Sequence, residues 1–267
     1  MRPTVVGMVG MVGMVGAARH RTRVGCLLTV VALAGCTTHG AATAGAKPTA
    51  PAPPPVTASA PAPAASPDPV PGQALAADVV AAEVTLRATP DGAPVVTLAN
   101  PTAERMPLVL LVTDRSGDWL QVQAALRPNG ARRWVQAADV VVRSTPYRIL
   151  VELGEHRLTV RRGTEPVLEA PVAIGTPDNP TPTGSFYIDA AVSTNPDGPY
   201  GARELSVAGF SQTITGGAGG GQIAIHGTNA PSLIGQSASH GCVRMLNADV
   251  IKLFNLVPVG TPVDIVV

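Results

Sequence analysis

Gln222-Ile223-Ala224-Ile225-His226-Gly227-Thr228-Asn229, followed a short way on by Ser239-His240-Gly241-Cys242-Val243-Arg244-Met245, is the stretch from which the rest of the chain is read. Its first five residues alternate as a β-strand does. Ile223 and Ile225 share one face, and Ala224 and His226 share the other. Two of the five histidines and the only cysteine of the C-terminal half fall within this stretch. A thiol is a weak nucleophile until its proton is removed, and an imidazole is suited to remove it. The glycines leave backbone amides open to a reacting group.

Two other readings of these residues are weighed against nucleophilic chemistry. His226, His240 and Cys242 are all zinc-ligand types, but no fourth Cys or His lies nearby and the paired spacings of zinc sites are missing, so no metal is expected. A buried inert thiol beside two core histidines is the blander reading. Gly216 to Gly221 invites a phosphate-loop reading, yet it lacks the Gly-Lys-Ser/Thr ending. It reads instead as a flexible loop beside a cleft. His20, His39 and His156 fall outside any site.

Around the central stretch, residues 144–267 read as mostly β. Arg148 to Leu153 and Arg157 to Arg161 alternate across the turn Gly154-Glu155-His156, a hairpin signal. Val167 to Ile174, Phe186 to Ile188 and Pro262 to Val267 are further strands. One helix is predicted after Asn247, with Asn247 as its cap, Asp249 in its first turn, and Val250, Leu253 and Phe254 as its apolar stripe. Val257-Pro258-Val259-Gly260 ends it.

Upstream, residues 77–143 read as a small all-β barrel. Short apolar runs (Val84 and Leu86, Val95 to Leu98, Leu108 to Thr113, Trp119 to Val122, Trp134-Val135) are separated by closely spaced turns. Trp119 and Trp134 are expected in the core rather than in a groove. Residues 37–76 are rich in Ala, Pro, Thr and Ser, too poor in large apolar residues to form a core, and read as a disordered linker. Residues 1–36 read as an export signal. Arg19, Arg21 and Arg23 precede the apolar run Val24 to Ala34, which is too short to span a bilayer. Leu33-Ala34-Gly35-Cys36 resembles the lipobox of bacterial lipoproteins, which implies lipidation of Cys36 and a place on the outer face of the cell membrane. Of three cysteines, Cys26 lies in the signal and Cys36 in the lipobox, so Cys242 has no partner for an internal disulfide. A formal net charge of +1 gives no basis for nucleic-acid binding.

The motifs also carry a family resemblance. His226-Gly227-Thr228 with Ser239-His240-Gly241-Cys242-Val243-Arg244-Met245 resembles the signature of the L,D-transpeptidases, the YkuD-type catalytic domain. Gly175-Thr176, Pro180-Thr181-Pro182-Thr183-Gly184-Ser185-Phe186, Asn247-Ala248-Asp249 and the run Val257 to Val263 are similar to its other motifs. The resemblance covers Tyr147 to Val267. Cys242 follows His226 by sixteen residues, towards the short end for the motif. Residues 77–143 are similar to a bacterial Src-homology-3-like domain. The implied fold is mainly β, a small all-β barrel followed by a YkuD-type β-sandwich with one or two short helices.

The implied chemistry is a thioester on Cys242 formed with a peptidoglycan tetrapeptide stem. D-Ala is released, and an acceptor amine then closes a 3→3 cross-link. A hydrolase of the same fold and a non-catalytic wall-binding lipoprotein stay open as alternatives. The resemblance makes His226 the base and gives the Gly227 carbonyl the task of fixing its tautomer. His240 is placed on the flank of the nucleophile. The amides of Gly241 and Cys242 are candidates to face the oxyanion. Ser239, Thr228 and Arg244 complete the candidate set, Ser239 supporting the turn and Arg244 either holding a substrate carboxylate or pairing with an acid. No cofactor is expected, and carbapenem-type β-lactams are the expected acylating inhibitors. Asn195 to Gly221 reads as a loop that shelters the acceptor amine.

Overall fold

The computed structural model describes residues 72–267, and the signal, Cys36 and most of the linker lie outside them. Seven strands come first: β1 (Ala74–Val79), β2 (Glu83–Arg87), β3 (Pro94–Ala99), β4 (Val109–Ser116), β5 (Trp119–Gln123), β6 (Arg132–Gln136) and β7 (Val140–Thr145). They form an antiparallel sheet in the order β3-β2-β6-β5-β4-β1-β7. Leu86, Val122, Val135, Ala77 and Val142, from five different strands, meet in one buried cluster, so the sheet is rolled around its own core. Trp119 is buried and Trp134 half-buried. The expected linker end at residue 76 is corrected, because β1 already pairs with β7 from Ala74 and with β4 from Leu75.

The second set is β8 (Tyr147–Glu152), β9 (Arg157–Arg162), β10 (Glu165–Pro171), β11 (Ile174–Gly175), β12 (Gly184–Ser193), β13 (Arg203–Phe210), β14 (Gln222–His226), β15 (Ser237–Ser239), β16 (Val243–Arg244), the helix α1 (Asn247–Leu256) and β17 (Pro262–Val266). Eight of these strands run in the order β10-β9-β8-β17-β12-β13-β14-β16, and β11 pairs with β15 apart from them. β12 belongs to two half-sheets. Gly184 to Tyr187 pair with β17, and from Ile188 onward the strand pairs with β13, with a register shift between Ile188 and Ala190. A bulge of this kind lets one strand turn a corner between packed layers. The inner faces of both halves then share one core: Ile149, Val151 and Val263 from one, and Leu205, Ile225 and Val243 from the other.

Alternation along the strands explains this packing. Leu205 and Val207 point into the core while Glu204 and Ser206 point away. Val250 and Leu253 of α1 are buried at the i, i+3 spacing of one helical face. Burying such side chains contributes about 1.5–3 kcal/mol each. Asp249 lies in the first turn, where the helix dipole favours a negative charge, and pairs with Lys252 at 2.9 Å. The helix stops at Val257, which is extended ahead of Pro258 as a residue before proline must be.

Three expectations about elements are corrected. Val167 to Ile174 is not one strand: β10 ends at Pro171 and Ile174 joins β15 instead. Asn195 to Gly221 is not one loop, since it contains the eight residues of β13 in the middle of the half-sheet. Asn247 does not cap α1 with its side chain, because Leu246 holds the cap position and no side-chain cap bond forms. The Asn247 amide group faces the neighbouring loops.

Candidate active site

Three adjacent strands build the site. Glu204 of β13 pairs with His226 of β14, and His226 pairs with Arg244 of β16. Side chains in register across a sheet share a face, so these three form one row. Cys242 stands two residues before Arg244 and therefore on that face. Val243 and Met245 turn into the core on the other. Cys242 directly precedes β16, which places the nucleophile diagonally across from the imidazole of β14.

His226 is only 3% exposed. Its Nδ1 lies 2.6 Å from the carbonyl oxygen of Gly227, so Nδ1 carries the proton that it donates there and Nε2 is left as the basic nitrogen. The ring of Tyr200 lies over it, 4.8 Å between centroids and tilted by 53°. Burial pushes the imidazole down to about 4; the Gly227 and Tyr200 backbones oppose this and the Arg244 charge adds to it. Burial also pushes the Cys242 thiol up. Glu204 raises it further, while the backbone at Ala224 and the Arg244 charge pull it down. At neutral pH the pair rests as thiol and imidazole, not as thiolate and imidazolium.

The turn before Cys242 is held by Ser239. Its Oγ donates to the Cys242 carbonyl at 2.6 Å and accepts from the Gly241 amide at 3.1 Å. Gly241 has φ of +111°, a backbone conformation that side chains disfavour. The Gly241 amide is therefore occupied, which corrects the expectation that it faces an oxyanion. Among the described residues no hydrogen bond engages the Cys242 amide. Thr228 is spent on structure: its amide donates to Asn247 Oδ1 at the start of α1 and its hydroxyl accepts from the Ala230 amide in its own loop. His240 is exposed. Arg244 reaches only the Ala238 carbonyl, at 3.4 Å, and its buried Nε has no partner. Among the described residues it has no carboxylate partner.

Cys242 opens into a cavity of about 850 Å³. One wall is catalytic sheet, with Tyr200, Glu204, Ser206 and Ala224. The other wall comes from the first sheet and its loop from Thr102 to Leu108. Tyr200, Glu204 and Asp189 are among the cavity residues that the sequence reading did not pick out. The Glu204-Leu205-Ser206-Val207 alternation was the available signal for two of the positions on this wall. It was obscured by the glycines on either side.

Residues 146–265 match the family model for the L,D-transpeptidase catalytic domain, YkuD. YkuD of Bacillus subtilis (strain 168), named as an L,D-transpeptidase, is 42% identical over 120 residues, which span 45% of this chain and 66% of that protein. YbiS of Escherichia coli (strain K12), also named as an L,D-transpeptidase, is 34% identical over 146 residues, 44% of either chain. The chain thus spans less than two thirds of the length of these relatives. Among solved structures, an L,D-transpeptidase from Mycobacterium smegmatis aligns over 60% of this chain and 90% of its own, with 15% identity and a TM-score of 0.40. The C-terminal domain of this chain belongs to the YkuD family of L,D-transpeptidase catalytic domains.

Proposed function

We propose that the chain is a peptidoglycan L,D-transpeptidase that works through a thioester on Cys242. The observation that carries this reading is the Nδ1–Gly227 bond, which fixes the tautomer of a buried imidazole on the strand that pairs with β16, directly after the only described cysteine. Nε2 takes the thiol proton as sulfur attacks the carbonyl between the third stem residue and the terminal D-Ala. The open Cys242 amide is the donor available to the oxyanion; one such donor is typically worth about 3 kcal/mol in the transition state. The imidazolium returns its proton to the departing D-Ala amine. An amine from a second stem then displaces the thiolate, giving a 3→3 link. Arg244, with no acid of its own, is suited to a carboxylate of the donor stem. The chain is exported and anchored through lipidated Cys36 at the outer face of the cell membrane.

Intact-mass measurement with a carbapenem tests the nucleophile. The parent protein gains one adduct, Cys242→Ala gains none, and His226→Ala reacts at least a hundredfold more slowly. The same spectra of membrane-derived protein carry a lipid mass at Cys36. With disaccharide-tetrapeptide as donor and acceptor, the main product is cross-linked dimer. An adduct on Cys242→Ala, or a product that is nearly all tripeptide at saturating acceptor, overturns the reading.

A further inference from the structure

The cavity beside Cys242 is lined by three carboxylates, Asp189, Glu204 and Glu104, and by no lysine, arginine or histidine. Asp189 Oδ2 accepts from Gln222 Nε2 at 2.8 Å, but its buried Oδ1 has no partner. Among the described residues no ion pair engages the half-buried Glu204 carboxylate. Burial holds both carboxyl groups above their usual range. Unpartnered carboxylates in a sheltered site are costly. The Gln222 amide offsets only part of that cost, at Asp189 Oδ2. A cation arriving in the cavity would offset the rest.

Their placement says which cation. Glu204 is in register with His226, and Ser206 is in register with Ala224, the residue whose backbone lies against the Cys242 sulfur. Gln222 Nε2 ties Ser206 Oγ at 3.0 Å to the Asp189 carboxylate. Acids therefore stand on both sides of the strip that ends at the thiol. We infer that Glu204 and Asp189 form the subsite for the acceptor's primary alkylammonium group and hold its nitrogen beside the thioester; this rests on the transpeptidase reading. The ammonium gives one proton to the Glu204 carboxylate. The freed nitrogen lone pair attacks the thioester carbonyl carbon, the C–S bond breaks, and the thiolate takes a second proton from nitrogen. The third N–H remains in the new amide. Neutral nucleophiles need no such subsite.

The test compares the full chain with Glu204→Gln and Asp189→Asn, each given a tetrapeptide donor and either a diamino-acid stem acceptor or hydroxylamine, which is uncharged at neutral pH. The ratio of aminolysis to hydrolysis falls at least tenfold in both variants with the ammonium acceptor and changes less than twofold with hydroxylamine. An equal fall with both nucleophiles, or none with the ammonium acceptor, overturns the inference. Binding of Nα-acetyl-lysine to Cys242→Ala, with and without Glu204→Gln, judges the subsite without any acylation. Tenfold weaker binding supports it, and equal binding overturns it. If the parent chain releases no D-Ala from the donor, the transpeptidase reading itself fails, and the binding measurement still decides whether the ammonium site exists.

Discussion

At His226 the fold works against protonation. An imidazole held near 4, against an ordinary 6.5, favours the folded state only while neutral. Between those values the unfolded chain binds more protons than the folded one, so this stability is complete above about pH 6.5 and is lost as the pH falls towards 4. The difference amounts to about 3 kcal/mol at most. Asp189 and Glu204, with raised values, contribute in the opposite direction as acid is added. The measurement is therefore a comparison. The unfolding free energy of the parent minus that of His226→Gln shrinks by about 3 kcal/mol from pH 7 to pH 4, while the carboxyl contributions cancel. A difference that stays flat with pH would mean that the ring is solvated.

At the scale of elements, Asn247 is the joint. Its Oδ1 accepts from the amides of Ala202 and Thr228, both at 3.1 Å, and its Nδ2 donates to the Pro196 carbonyl at 3.2 Å. It thereby fastens the start of α1 to the loop before β13 and the loop after β14. The approach is close enough that a Cβ on Gly201 would stand 2.1 Å from that oxygen, and one on Gly227 2.2 Å. Asn247→Ala leaves two amides without acceptors and should cost about 2–3 kcal/mol by urea unfolding. Asn247→Asp, which keeps the acceptor, should lose less than half as much. The reading of Asn247 as a helix cap shows where sequence stops being informative. An Asn ahead of an apolar stripe has the same local pattern whether its side chain turns back to its own helix or outward to another loop. β14 was legible because Ile223, Ile225 and His226 alternate in the open. β13 was not, because Gly198 and Gly201 precede it, Gly209 falls inside it, and its alternating pattern is only four residues long. The motif marked Cys242 and His226, but the Gly241 amide was misjudged, since its use depends on where the Ser239 hydroxyl points.

At the scale of the molecule the two sheets fall within one compact unit. Arg127, in the first sheet's segment between β5 and β6, donates to the carbonyls of Ser211, Ile214 and Gly220 at 3.0, 3.2 and 2.9 Å and lies over the Phe210 ring at 4.8 Å. Asn129 both donates to the Phe210 carbonyl and accepts from its amide. This clasp holds the segment that leads into β14. Arg127→Ala should cost about 2 kcal/mol and speed proteolysis between residues 211 and 221 roughly tenfold. Cleavage at the parental rate would show that the segment holds itself. Tyr187 adds a buried tie, its hydroxyl donating to the Val109 carbonyl at 3.0 Å.

The joint between the sheets also sets how the molecule bears load. Ala74, where β1 begins, pairs with Thr145, where β7 ends just ahead of β8. Tension entering at residue 74 and leaving through residue 145 would act on neighbouring ends of one ladder and peel it one pair at a time. Two fastenings bypass that weak path. Gly260 seats so closely on Ala76 that a Cβ there would come within 2.4 Å of its methyl. Arg143 grips Asp78 of β1 through Nε at 2.8 Å and Nη2 at 3.1 Å, and the same Nη2 donates to the Val259 carbonyl at 2.7 Å. Force on the chain's upstream end therefore passes from β1 directly into the catalytic sheet, and the ladder between β1 and β7 is spared until those two fastenings give way.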